Sequence, residues 1–268
     1  MTTLEQTTKI QEMAKRAYQA FFTPSKYEAK PADRAVIARG NNERIVFEDG
    51  ELAATTWGDR GSAVLLMHGW GGARAQMTGL VDPLLNAGYR VVAYDQPAHG
   101  ESDGTMTNLI EIAPTMDLIL KRYGKFEAIV AHSFGTLITS FVLVNRNFPP
   151  PTRLVYFGAF NRPMDSLPRF QVLAHLADDV IDVMHNLFYE KFGKDVLEAI
   201  VNEELVKQIN IPALMFHDAA DSVTPAEDSR AIAKVWKSAK LIETKDLGHR
   251  GALKAKEIHE QVVEFLKG

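Results

Sequence analysis

Ile129-Val130-Ala131-His132-Ser133-Phe134-Gly135 decides how this chain reads. The apolar run Ala128-Ile129-Val130 suits a strand buried on both faces. Thr136 to Val144, just beyond, is apolar nearly all round, as a buried helix is. A serine therefore stands where a strand joins a helix. A sharp turn there thrusts the hydroxyl out at the sheet edge and crowds the residues two places to either side, which must be small. Ala131 and Gly135 meet that need. The helix behind the turn aims free N–H groups and a partial positive charge at the same point. The competing reading is that Ser133 only caps the helix.

Outward from this point, strands and helices alternate. Upstream come Val64-Leu65-Leu66-Met67 (strand), Gln76 to Asn86 (helix), Arg90 to Tyr94 (strand) and Leu109 to Lys121 (helix). Downstream come strands at Leu154 to Phe157, Ala213 to Phe216 and Leu241-Ile242, with helices at Asp228 to Trp236 and Ala255 to Leu266. Short, wholly apolar strands alternating with helices predict an α/β protein: a mostly parallel central sheet flanked by helices on both faces. Residues 34–57 read as short strands, with an Asp49-Gly50 hairpin turn between Ile45-Val46-Phe47 and Leu52 to Trp57. Residues 8–22 carry Ile10, Met13, Ala14, Ala17, Tyr18, Phe21 and Phe22 at helical spacing, predicting a helix packed on the main domain or on a partner subunit. Residues 162–208 break the alternation. They predict a helical insert with Leu167, Phe170, Leu173, Ala174, Ala177, Ile181, Met184 and Phe188 on one face. The expected organisation is an N-terminal helical extension over 1–35, a core over 36–161 and 209–268, and a cap over 162–208.

Composition narrows the function classes. The net charge of −4 lacks the excess of Lys and Arg that phosphate binding needs, so nucleic acid is not an expected partner. With no cysteine in the chain, thiol catalysis, disulfides and thiolate metal sites are excluded. The first residues have neither a basic nor an apolar signal segment, and no apolar run nears the ~18 residues of a membrane span. A cytoplasmic protein is the expectation, with a homo-oligomer left open.

Four stretches, in order, resemble the α/β-hydrolase superfamily, in its branch of small serine esterases and lipase-like enzymes. Leu65 to Gly72 is similar to the family's His-Gly-x-Gly turn. Asp95-Gln96-Pro97-Ala98-His99-Gly100-Glu101-Ser102 is similar to its Asp-x-x-Gly-x-Gly-x-Ser loop, with Ala98 where the first Gly is usual. Ala131 to Gly135 matches the nucleophile elbow. His217 to Pro225 and Gly248-His249 match the acid and base segments. The resemblance implies Ser133 as nucleophile and His249 as general base. Of the later histidines, His175 and His185 lie in the insert, His217 ends a strand, and His259 sits on an expected surface helix. Asp218, Asp221 and Asp165 are the available acids, and the family's acid matches Asp221. The amides of Trp70 and Phe134 take the positions of an oxyanion hole, and the Trp70 ring would line the acyl pocket.

This resemblance implies cleavage of carboxylic esters or thioesters through an acyl-enzyme, with no cofactor and no metal. The same triad would also serve C–C bond hydrolysis, acyl transfer or perhydrolysis. Relatives that open epoxides or remove halides carry an aspartate at the elbow, where this chain has Ser133. A non-catalytic binding protein on the same fold is the reading from a different class. His68 is expected to brace the oxyanion loop, and His99 and His132 to be structural. The apolar face of the insert suggests a small-molecule, ester-like substrate with a hydrophobic portion. The acidic Asp178, Asp179 and Asp182 read as a solvated helix face.

Overall fold

The computed structural model describes residues 3–48, 50–146 and 148–268. In chain order it contains α1 (Thr3–Phe21), α2 (Pro31–Ala38), β1 (Asn41–Phe47), β2 (Gly50–Trp57) and β3 (Ala63–Met67). A 3-10 stretch at Arg74–Leu80 runs into α3 (Val81–Asn86). Then come β4 (Arg90–Tyr94), α4 (Leu109–Tyr123), β5 (Phe126–His132), α5 (Phe134–Asn145) and β6 (Arg153–Phe157). Between β6 and the next strand lie α6 (Ser166–Leu173), α7 (Asp178–Phe192), α8 (Lys194–Ala199) and α9 (Asn202–Leu205). The chain closes with β7 (Ala213–Asp218), α10 (Ala226–Val235), β8 (Ala239–Thr244), α11 (Gly248–Gly251) and α12 (Lys256–Lys267).

The strands form one sheet in the order β1-β2-β4-β3-β5-β6-β7-β8. β1 and β2 pair antiparallel, as do β2 and β4, and every other pairing is parallel. The pleat sends successive side chains to opposite faces. Val64 and Leu66 of β3 pack with Leu80, Leu84 and Val262 on one face. Leu65 and Met67 pack with Ile112, Leu137 and Ile138 on the other. All four β3 side chains are fully buried. Each such burial contributes about 1.5–3 kcal/mol, which is why the strand reads as an unbroken apolar run.

A third apolar cluster lies apart from the sheet. Ala14 and Ala17 of α1 pack with Leu167 of α6 and with Val180, Met184 and Phe188 of α7. The N-terminal arm then crosses to the core. The Thr107 amide donates to the Phe22 carbonyl at 2.9 Å. Ser25 lies against Gly71, where an added methyl group would meet its Oγ at 2.7 Å. The Thr78 hydroxyl donates to Asp33 at 2.9 Å.

Several expectations need correction. Residues 34–38 are helical: Pro31 at the start of α2 and Asp33 in its first turn are the helix-entry signals that the strand reading passed over. Phe47 pairs with Gly50, so Gly50 belongs to β2 and not to the turn, and Glu48 has φ 51°. Asp49 lies outside the described residues. The stripe through 162–208 is not one face. The chain turns between α6 and α7 with His175 at φ 52°, and Leu173 is left exposed at 69%. His259 is buried in α12, its Nε2 2.9 Å from the Leu253 carbonyl. No described helix is long and apolar enough to cross a membrane.

Candidate active site

Ser133 joins β5 to α5 with φ 51° and ψ −124°, backbone angles that a non-glycine residue adopts only where its surroundings enforce them. Here the surroundings are backbone. The Ser133 amide donates to the Phe157 carbonyl at the end of β6, 2.8 Å away. A methyl group at Gly135 would stand 2.6 Å from the His68 carbonyl oxygen, and one at Gly69 would stand 2.8 Å from Ser133 Cβ. The turn after β3 is thus pressed onto the elbow. Although Ser133 holds the N-cap position of α5, its side chain caps nothing, which removes the competing reading of this serine. Among the described hydrogen bonds none engages Ser133 Oγ, so it is not bonded to His249 either.

His249 lies in α11, directly after Gly248, whose φ of 60° is one a glycine adopts freely. His249 Nδ1 is 2.7 Å from Asp221 Oδ2. A carboxylate only accepts, so Nδ1 carries the proton and the neutral ring presents a bare Nε2. Asp221 Oδ1 accepts from the amides of Val223 and Thr224 at 2.8 and 3.0 Å. Burial would raise its pKa, but the bonds from His217, His249 and the Thr224 amide hold the carboxyl well below the usual carboxylate range. Asp218 does not reach His249. It accepts from the Thr244 hydroxyl and the Leu247 amide, fastening the segment that carries the imidazole to β8. Asp165 belongs to the turn before α6, where its amide bonds the Arg162 carbonyl.

The backbone N–H groups of Trp70 and Phe134 donate no hydrogen bond among those described. Their rings meet edge-on with centroids 5.6 Å apart, so the two residues adjoin. Ser133, His249, Trp70 and Phe134 all line one cavity of about 330 Å³. Most of its wall is apolar: Phe160, Met164, Phe170, Phe188 and Leu197 contribute, as do Phe21 and Phe22 from the N-terminal arm.

The surrounding histidines hold loops. His68 Nε2 accepts from the Gln96 amide at 3.0 Å, and the Gln96 side chain returns a bond to the His68 carbonyl. This ties the turn after β3 to the loop after β4. That loop is anchored further by the buried Arg74–Asp95 ion pair and by the Arg74 amide bond to Asp95 Oδ1 at 2.6 Å. His132 Nε2 lies 2.9 Å from the His249 carbonyl, and the two rings are 4.5 Å apart. Two more residues adjoin the pair, of which the sequence reading named His217 only as a histidine ending a strand and did not name Gly158. His217, fully buried, has Nε2 3.4 Å from Asp221 Oδ2, though nearer, at 3.0 Å, to the Thr224 carbonyl. Gly158, at φ 53°, leaves only van der Waals room beneath His249 and Asp221. Gly158 has no local sequence signal, because it meets the site only through the fold. Among the described residues no group of three or more His, Asp or Glu is placed to hold a metal ion.

The sequence model of the alpha/beta hydrolase family matches residues 64–261. The chain belongs to that family. No curated protein sequence matched this α/β hydrolase. Its fold is shared with many solved structures. An esterase from Exiguobacterium antarcticum is 18% identical, covers 82% of this chain and 96% of its own, and superposes with a TM-score of 0.64. An esterase from Pyrococcus furiosus is 20% identical over 91% of this α/β hydrolase and 97% of its own chain, with a TM-score of 0.65. A thioesterase domain from the curacin biosynthetic pathway is 14% identical over 85% and 99%, with a TM-score of 0.62. At these identities the likeness concerns the fold.

Proposed function

We propose that this α/β hydrolase cleaves carboxylic esters or thioesters through a covalent acyl-enzyme. One observation carries the reading: a serine hydroxyl with no hydrogen-bond partner among the described residues shares a cavity wall with an imidazole whose second nitrogen is held by a buried carboxylate. A neutral hydroxyl is a weak nucleophile. As Ser133 Oγ attacks the carbonyl carbon, His249 Nε2 takes its proton, and Asp221 holds the tautomer and stabilises the imidazolium. The carbonyl oxygen becomes an oxyanion, received by the Trp70 and Phe134 amides, which are rigid and lie free of other bonds. His249 then gives the proton to the leaving alcohol or thiol. Water, deprotonated by the same nitrogen, releases the acid and restores Ser133. The contact of Oγ with Nε2 is one that commonly tightens only with substrate bound.

In this reading residues 162–208 act as a cap that excludes water and shapes the acyl pocket. Residues 36–161 and 209–268 form the catalytic core, and residues 1–35 are an extension docked on the cap. A fluorophosphonate probe tests the proposal. The wild-type protein labels and Ser133→Ala does not, and esterase activity falls in parallel. A wild type that stays unlabelled where a known esterase reacts sinks the acyl-enzyme.

A further inference from the structure

We infer that the N-terminal arm, through Phe21 and Phe22, is the wall that sets how long an acyl chain the site accepts. The inference deepens the acyl-enzyme reading and rests on it for the identity of the reacting bond. Phe21 and Phe22 line the same cavity as Ser133, although more than a hundred residues separate them in sequence. They are not loose lining. The Phe21 ring meets Phe170 edge-on at 5.2 Å, and the Phe22 ring meets Phe188 at 5.4 Å and Phe192 at 5.7 Å. The backbone is pinned as well, by the bond from the Thr107 amide to the Phe22 carbonyl. A pinned aromatic wall is a fixed stop, because a close-packed cluster transmits strain instead of yielding to an over-long chain.

The chemistry of this part of the cavity specifies the ligand. Phe21, Phe22, Phe188, Phe192, Leu197 and Ile200 offer no charged and no hydrogen-bonding side chain, whereas the cavity's polar lining, such as Asn108, Arg169 and Arg250, comes from other elements. An acyl group placed there has to be hydrocarbon. A cavity of about 330 Å³ sits at the small end of ligand pockets, which suits one unbranched chain and not a two-chain lipid. Each methylene that finds room raises kcat/KM about fourfold. The first that meets the aromatic wall reverses the trend.

The test is a series of p-nitrophenyl esters from acetate to dodecanoate, with parallel calorimetric binding of the matching straight-chain carboxylates, on the full chain and its variants. For the wild type, kcat/KM climbs with chain length, peaks within the series and falls. Phe22→Ala moves the peak to longer chains and raises the decanoate-to-butyrate ratio about tenfold or more. Phe22→Trp moves it to shorter chains by a similar factor. Phe22→Leu carries the same test, with a smaller shift, if the alanine variant does not fold. Complete fluorophosphonate labelling of Ser133, at whatever rate, shows that the elbow is intact in each variant. Ratios unchanged in both directions, or a uniform loss at every chain length, overturn the inference. Should the wild type hydrolyse neither these esters nor the matching acyl thioesters, the acyl-enzyme reading fails by itself. The carboxylate series then decides the wall: a chain-length preference that moves with residue 22 upholds it, and one that does not move overturns it.

Discussion

At the scale of single residues, two aspartates three positions apart do different work, and substitution separates them. Asp221 faces His249, whereas Asp218 holds Thr244 and the Leu247 amide. Asp221→Asn keeps the shape of the site but lets the wrong tautomer form, so kcat should drop by about 10⁴ with little change in melting temperature. Asp218→Asn should instead lower the melting temperature and leave the surviving folded enzyme within about tenfold of wild type. Comparing kcat with thermal unfolding for the two variants checks the assignment, and an interchange of the phenotypes would make Asp218 the acid. Gly135 is a third test. Its α-carbon faces the His68 carbonyl so closely that Gly135→Ala must displace the turn after β3, and labelling of Ser133 should be lost even in soluble protein.

At the scale of elements, the arm docks through small buried side chains. Ala14 of α1 is fully buried in the cluster shared with α7. Ala14→Asp sets an unpaired charge there, at a cost of several kcal/mol. It should release the arm before the sheet unfolds, which limited proteolysis would detect as early cleavage between residues 22 and 30 with the core intact. Simultaneous loss of arm and core would show instead that they unfold as one unit. This docking also marks where the sequence stops being readable. Runs such as Val64 to Met67 announced themselves because a strand covered on both faces has no polar position to spare. The elbow was legible because Ala131, Ser133 and Gly135 answer a local backbone demand. Ala14, Ala17, Phe21 and Phe22 marked an apolar face, but periodicity cannot name what covers it, and α7 lies far along the chain. The turn at His175 was hidden for a related reason: nothing local marks a histidine for the left-handed region, and the surrounding packing enforces it. The pairing of Asp221 with His249 needed a motif, since three aspartates were equally available to any argument from spacing.

At the scale of the whole molecule, buried imidazoles, His68, His99 and His132 above all, make stability depend on pH. Burial pushes His68 down to about 4 and His99 and His132 to about 3, with His68 also working against His99 and His249 against His132. The unfolded chain binds these protons near the ordinary value of about 6.5, so in the interval below it the unfolded state holds more protons than the fold. Stability is therefore full above that value and drains away as pH falls toward 4 and then 3. Each ring contributes roughly 1 kcal/mol per pH unit, and the melting temperature should drop by about ten degrees or more between pH 7 and 4.5. A melting temperature that holds constant over that range would mean these rings are not kept neutral by the fold. The carboxyls of Asp221 and Asp218, held low in spite of their burial, add to the loss only in stronger acid. The partnership of α1 with α7 has one more outcome, set by the direction of protein synthesis. α1 leaves the ribosome before α7, and about 170 further residues must follow it before α7 is complete. At about 5–20 residues per second, its greasy stripe waits roughly ten to thirty seconds for a partner. Throughout that interval the nascent chain displays Ala14, Ala17, Phe21 and Phe22 to whatever chaperone attends the exit tunnel.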